Sequence, residues 1–403
     1  MQGDSLSHLF SQRAFLLFWL ARLSGTMANQ MLMVALAWHM YDITSSAWDL
    51  GLVGLFQFVP ALVFTLPAGH VADRLHRGRI FATCMLTQAL AGAVLLAAIY
   101  GHFGTRELIL GISVLLGMAR AFQMPAQQAL TPQLVPPVLL QRAITLSASA
   151  MQAAIICGPA LGGVLYTFGP ATVYACSMAL LLLAGVLALT VNYHHKTARA
   201  AANWSSVLAG VSFVWQRKVI LGATTLDLFA VLLGGATALL PIYARDLLQT
   251  GPVGLGLLRG APAVGALVMS LVLVRWPLKR KVGHKLLLAV AIFGLATVVF
   301  GLSRSFPISL LALVITGAAD SVSVVTRNTL VQLETPDEMR GRVSAVNSIF
   351  IGASNQLGEF ESGAVAELWG PVMSVVSGGI GTLLIAAAWF KLFPALARRD
   401  HLH

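Results

Sequence analysis

Four ionisable residues interrupt long apolar stretches of this sequence: Arg22, Arg120, Asp227 and Asp320. A carboxyl group held away from water can take up and release a proton, with an affinity set by desolvation and by neighbouring charge. An arginine in the same surroundings attracts an anionic group. Ionisable residues inside apolar spans are costly and point to proton, ion or substrate pathways. A second chemical feature is the run Gly158-Pro159-Ala160-Leu161-Gly162-Gly163. Its small residues permit close helix crossing, and its proline frees a backbone carbonyl and bends the helix. Covalent chemistry has no comparable support. The sequence contains no Gly-x-x-x-x-Gly-Lys-Ser/Thr loop, no His-Glu-x-x-His and no Ser/His/Asp context for hydrolysis, so it reads neither as an ATP-driven pump nor as an enzyme. No cofactor or metal is expected; Cys84, Cys157 and Cys176 lack ligand or disulfide spacing and read as packed thiols.

The elements that position these residues follow from composition. Of 403 residues 57% are hydrophobic and 10% charged, and the mean hydropathy is +0.81. A soluble domain carries about 25% charged residues, and a disordered chain needs low hydrophobicity; both classes are excluded. Twelve spans of about 20 residues need roughly 240, which the length accommodates. Apolar runs lie near 14–37, 48–70, 80–101, 107–126, 141–166 and 171–191, then near 218–243, 252–274, 284–303, 306–330, 342–365 and 370–393. Arg22 breaks the first run early and no small-residue cleavage site closes it, so it reads as a retained helix rather than a signal peptide. Residues 204–217 read as an amphipathic helix on the membrane surface.

The net charge of +11 suggests nucleic acid only until the positions are considered. With a cytoplasmic N-terminus, nineteen Lys and Arg fall in cytoplasmic segments, three (Arg106, Arg245, Arg304) in outer loops and four within helices. That is a strong positive-inside pattern with both termini cytoplasmic, and no nucleic-acid partner is expected. A linker over 192–217, with Lys196 and Arg199, separates two six-helix bundles, 1–191 and 218–403. An internal repeat supports the division: Gln133-Leu134, Pro137 and Ser149 recur as Gln332-Leu333, Pro336 and Ser348 at a constant offset of 199.

The loop after the second run reads Gly69-His70-Val71-Ala72-Asp73-Arg74-Leu75-His76-Arg77-Gly78-Arg79. It resembles the signature between helices 2 and 3 of the major facilitator superfamily, and Gly158-Pro159-x-x-Gly162-Gly163 looks like the antiporter motif of that superfamily. The segments Ala121 to Pro136 and Thr335 to Ser344 are similar to its enterobactin-exporter and macrolide-efflux branch. The likeness covers about residues 10–395. It departs where Ala154 stands for an upstream glycine, and where the loop Arg275 to Lys285 is basic but lacks the aspartate.

The resemblance implies an all-α membrane protein of twelve transmembrane helices in two pseudo-symmetric halves, the major facilitator fold. It implies a secondary transporter in a bacterial inner membrane, moving a small amphipathic molecule such as a siderophore or drug outward against protons, with no cofactor; one such bundle can work as a monomer. An importer or uniporter of a polar metabolite is the alternative, and a non-transporting membrane receptor a remote one. In that family the helices bearing Arg22, Arg120, Asp227 and Asp320 line the central cavity. The matching contexts Gly117-Met118-Ala119-Arg120 and Gly317-Ala318-Ala319-Asp320 make two of them counterparts. The expectation is one charge layer, with the acids carrying the coupled proton and the arginines attracting an anionic substrate group. Static Arg–Asp pairs are the alternative. Gating is expected of Gly69, where helices approach, of Asp73, Arg74, Arg77 and Arg79 as an inward latch, and of Gly158, Pro159, Gly162 and Gly163 as a bend or seal. Arg327, Arg340 and Arg342 are expected at the cytoplasmic gate. Glu359 and Glu361 point about 200° apart on a helix, so at most one of them faces a site.

Overall fold

The computed structural model describes residues 9–192, 204–278 and 280–400, excepting the side chains of residues 66, 73, 204–207, 337, 338 and 345. Lys196, Arg199, Lys279 and the side chain of Asp73 therefore lie outside the described residues. By internal contacts the chain divides into two compact units, Met1–Ile43 with Phe56–Ala202 and Thr44–Leu55 with Asn203–His403.

Every long element among the described residues is helical, as expected where lipid cannot satisfy backbone groups and each N–H must find its partner within its own segment. The first series is α1 Arg13–Thr44, α2 Ala47–Arg74, α3 Arg77–Tyr100, α4 Arg106–Leu130, α5 Pro137–Tyr166 and α6 Pro170–Leu189. The short α7 Trp204–Gln216 follows. The second series is α8 Lys218–Leu233, α9 Gly251–Arg275, α10 Val282–Leu302, α11 Phe306–Glu334, α12 Asp337–Trp369 and α13 Pro371–Leu392, then the turn α14 Pro394–Ala397. Ten spans among the described residues are long and apolar enough to cross a membrane. The two long helices not among them, α1 and α12, are interrupted by polar side chains such as Arg22, Asn29 and Gln30, or Asn347, Asn355 and Glu359.

The starts and stops have local causes. Thr105 accepts a hydrogen bond from the Leu108 N–H at 3.3 Å and caps α4. Gly169 (φ 102°) and Gly370 (φ 85°) take left-handed backbone, and each precedes the proline that opens α6 or α13. This Gly-Pro corner repeats at an offset of 201 residues, so the repeat is expressed in backbone geometry as well as in sequence.

Phe15, Phe18, Phe81, Met85 and Leu181 form the core of the first unit. Leu226, Leu286, Val290, Leu330 and Ala386 form that of the second. Two expectations change here. Part of the apolar side of α7, read as resting on lipid, packs on protein, while Leu208 and Trp215 stay exposed. Val214 joins Ile220, Val331, Val343 and Val346 in one cluster, and a Cβ at Gly210 would lie 2.8 Å from the Arg342 carbonyl oxygen. The seventh apolar run, read as one helix to residue 243, stops at Leu233. It resumes as a 3₁₀ turn Ala236–Leu239 and ends in a π turn Tyr243–Leu247. Gly234 and Gly235 supply the break because they add the least stiffness to the backbone.

Candidate substrate and proton sites

In the second unit, α9 and α11 cross so closely that side chains are excluded. A Cβ on Gly265 would collide with the Val314 carbonyl, and one on Gly317 with the Pro262 carbonyl. Ser270 and Ser321 share a hydrogen bond at 3.1 Å across the same crossing. The crossing fixes the face of α11 on which Asp320 stands. That face lines a cavity of about 200 Å³ together with Arg259 of α9, Asn355 and Glu359 of α12, Phe293 and Thr297 of α10, and the broken segment around Gly234 and Gly235. Cavity, interrupted helix and carboxylates coincide, as they do where transporters place their sites.

Asp320 lies fourteen residues from each end of α11, or about 21 Å at 1.5 Å per residue. The apolar run that carries it reads in sequence as ending near 330. The helix continues to Glu334, which places Asp320 at the midpoint. Asp227, nine residues into α8, is instead level with Arg327, and the two form an ion pair between α8 and α11. Arg327 is 1% exposed and Asp227 6%. Arg327 Nε and Thr326 Oγ1 are buried without a hydrogen-bond partner among the described residues. A hollow of about 10 Å³, lined by Asp227, Ser323 and Asp320, lies between the pair and the cavity; a space of roughly 10–15 Å³ is the least that holds one water.

In the first unit Arg22 is joined to Gln127, beside a run of further amides. An arginine offers only donors, so Gln127 presents its oxygen, 2.8 Å from Nε and 3.1 Å from Nη2. Beside it Asn29 donates to Gln88 Oε1 at 2.7 Å and Gln88 donates to Gln123 Oε1 at 2.9 Å; the orientation of Gln127 that accepts from Arg22 turns its nitrogen toward Gln123 Nε2. This network links α1, α3 and α4. Arg120 is exposed on α4. Its repeat partner glycine behaves alike in both units: a Cβ on Gly117 would collide with the Gln57 carbonyl of α2.

The expected gating residues divide. Gly158 and Gly162 of α5 do sit where α1 passes, their missing Cβ atoms falling 2.6 Å from Gln30 Cβ and 3.0 Å from Met31 Cα; Pro159 and Gly163 are buried beside them. Gly69 does not serve a close approach, since a Cβ there meets nothing within 4 Å among the described residues. Arg77 is buried and donates to the carbonyl oxygens of Ala72 at 3.1 Å and Ala129 at 3.4 Å, tying the α2–α3 corner to the end of α4. Arg74, Arg79 and Arg342 are exposed. Arg340 donates to the Gln332 carbonyl at 3.3 Å. Arg327 belongs to the buried pair rather than to a surface cluster. Of the two acids on α12, Glu359 faces the cavity, and Glu361 contacts Ser362 at 3.5 Å.

Sequence reasoning did not single out Arg259, the break at Gly234, or the amides Gln88, Gln123 and Gln127. Each left a signal: a charge inside an apolar run, a Gly-Gly pair seven residues before a proline, and glutamines spaced four apart at 123 and 127.

Over residues 5–401 the chain matches the family model described as transmembrane secretion effector. It is 27% identical over 375 residues to the multidrug efflux pump Tap of Mycobacterium tuberculosis H37Rv, covering 89% of this chain and 88% of that protein. It is 25% identical over 413 residues to the enterobactin exporter EntS of Escherichia coli O81, covering 98% and 95%. Among solved structures it resembles the nucleoside transporter NupG, with TM-score 0.78 and 12% identity over 94% of this chain and 100% of that one. It also resembles a bacterial homologue of the lysosomal transporter Spinster, with TM-score 0.74 and 14% identity over 96% and 97%. With its helices, apolar spans and whole-length match, this chain belongs to the transmembrane secretion effector family, in the efflux branch of the major facilitator superfamily, and is a multi-pass membrane transporter rather than an enzyme.

Proposed function

We propose that this transporter exports a small amphipathic molecule, a siderophore or a drug, in exchange for protons, from a bacterial inner membrane with both termini in the cytoplasm. The observation that carries the reading is Asp320: a carboxylate at the midpoint of α11, lining a cavity beside a broken helix. Asp320 takes the coupled proton. The adjoining water-sized hollow, with Ser323, connects it to Asp227, so that a single ordered water can pass hydrogen bonding between the two acids. Asp227 is held by Arg327 and sets the local field rather than carrying the proton alone. In the first unit, Arg22 and its amides favour substrates rich in hydrogen-bond acceptors, such as catechols or carboxylates. Gly158 and Gly162 let α5 pass close to α1, and Pro159 lets α5 bend there during transport. The names and whole-length similarity of Tap and EntS support the outward direction.

The test is a proteoliposome assay with an imposed pH gradient and a panel of catecholate siderophores, macrolides, cationic drugs and polar metabolites. Exporter function predicts gradient-driven movement of an amphipathic compound with opposing proton flux. Movement of polar metabolites alone, independent of the gradient, would replace this reading with a uniporter.

A further inference from the structure

A hollow in the first unit lies apart from the cavity and the amides described above. It measures about 560 Å³ and lies among α2, α3 and α4, within the roughly 300–1,000 Å³ of ligand sites. Its walls are mostly apolar: Val71 from α2, Leu75 from the corner after it, Ile80 from α3, and Leu115, Met118 and Phe122 from α4. Met118 and Phe122 each stand about 200° from Arg120 around α4, so the groove occupies the opposite side of that helix from the residue of the expected charge layer. Leu75 on its wall remains 57% exposed.

One end of the groove is basic. Arg79, in the first turn of α3, lines it and is exposed. Arg74, the last residue of α2, is exposed nearby in sequence. Thr83 and Thr87 continue the lining up α3, about 12 Å from Arg79 to Thr87 at 1.5 Å per residue. Among the described lining residues there is no carboxylate. The groove thus begins with a cation where a transmembrane helix ends, at the depth of lipid headgroups, and runs into the span with a hydrocarbon wall.

We propose that this groove binds one anionic phospholipid, its phosphate on Arg79 and an acyl chain along Leu75, Leu115, Met118 and Phe122. The occupant follows from charge complementarity. A zwitterionic headgroup brings a cation of its own to a basic end, whereas an anionic one brings only the charge that Arg79 can accept. A soluble anion would leave the apolar wall unused. The site is independent of the proton and substrate assignments, since none of Arg22, Asp227, Asp320 or the amide run lines it.

The experiment is native mass spectrometry of the detergent-purified full chain titrated with phosphatidylglycerol or phosphatidylcholine. Wild-type protein is expected to retain one phosphatidylglycerol preferentially. Arg79→Gln should lower that affinity about fivefold, the factor equivalent to about 1 kcal/mol per basic residue near a membrane surface. Thr83→Trp, which fills the groove, should abolish retention of both lipids at this site. Arg106→Gln, at the opposite end of the spans, should retain the wild-type preference. Arg79 is exposed, so its variant keeps the test decisive should Thr83→Trp fail to fold. Equal retention of the two lipids by wild type, an unchanged preference in Arg79→Gln, or displacement of phosphatidylglycerol by inorganic phosphate would each overturn the proposal.

Discussion

Arg327 and Asp227 form an ion pair between α11 and α8 in which both side chains are almost completely removed from solvent. Attraction between such groups roughly offsets the cost of taking them out of water, but removing one partner strands the other. Asp227→Asn and Arg327→Gln should therefore each destabilise the protein by about 3–5 kcal/mol. The double variant should recover much of that loss. Thermal melts of the three proteins in detergent measure it. Equal melting points for the single and double variants would show that the pair carries no coupling.

Asp320 lies on the same helix seven residues before Arg327, yet its surroundings differ: it borders an open cavity rather than a fitted partner. Asp320→Asn should leave folding intact and abolish accumulation driven by a pH gradient. Exchange of labelled for unlabelled substrate at equal pH should persist, because exchange needs no net proton movement. The wild-type rate should depend on pH, and the variant's rate should be flat over the same range. An unaltered pH profile in Asp320→Asn would move the proton site elsewhere, with Glu359 as the next carboxylate on the cavity.

Much of this arrangement was legible in the residues. The twelve apolar runs match the long helices because the period and length of a bilayer span leave few alternatives. The Gly117 and Gly317 contexts predicted equivalent positions, and both glycines do mark helix crossings. Partnerships were harder to read. Asp227 and Arg327 are one hundred residues apart, and their pairing depends on the length of α11, which polar residues after 330 concealed. The amide run was hidden for another reason: glutamines carry no charge, and hydropathy alone does not distinguish a buried network from lipid-facing helix glue.

That network yields a third prediction. Gln88 is 1% exposed and is bonded to both Asn29 and Gln123. Gln88→Leu would keep the volume but leave buried Gln123 and half-buried Asn29 each short of a partner, at about 1–3 kcal/mol for the buried amide. Melting should fall accordingly. Gln127→Leu should in addition weaken binding of acceptor-rich substrates, since it frees Arg22 from its fixed orientation. Ligand-induced shifts in melting separate the two effects, because a well-occupied site stabilises by RT ln(1 + [L]/Kd).

Gly69 and Gly158 provide the sharpest contrast between two glycines that sequence reading treated alike. A methyl group at Gly158 would enter the space of Gln30 Cβ and lie 3.2 Å from the Met27 carbonyl oxygen, both on α1. Relief would require separating α1 from α5, and overpacking of this kind costs about 1–3 kcal/mol. At Gly69 the added methyl meets nothing within 4 Å among the described residues and replaces a helix-interior glycine, a change worth roughly 0.5–1 kcal/mol in the opposite sense. Gly158→Ala should therefore lower the melting point and slow transport, whereas Gly69→Ala should raise the melting point slightly. If Gly69→Ala nevertheless stops transport while remaining fully folded, the glycine is needed in a conformation of the transport cycle other than this one, and the inward latch regains it as a moving part.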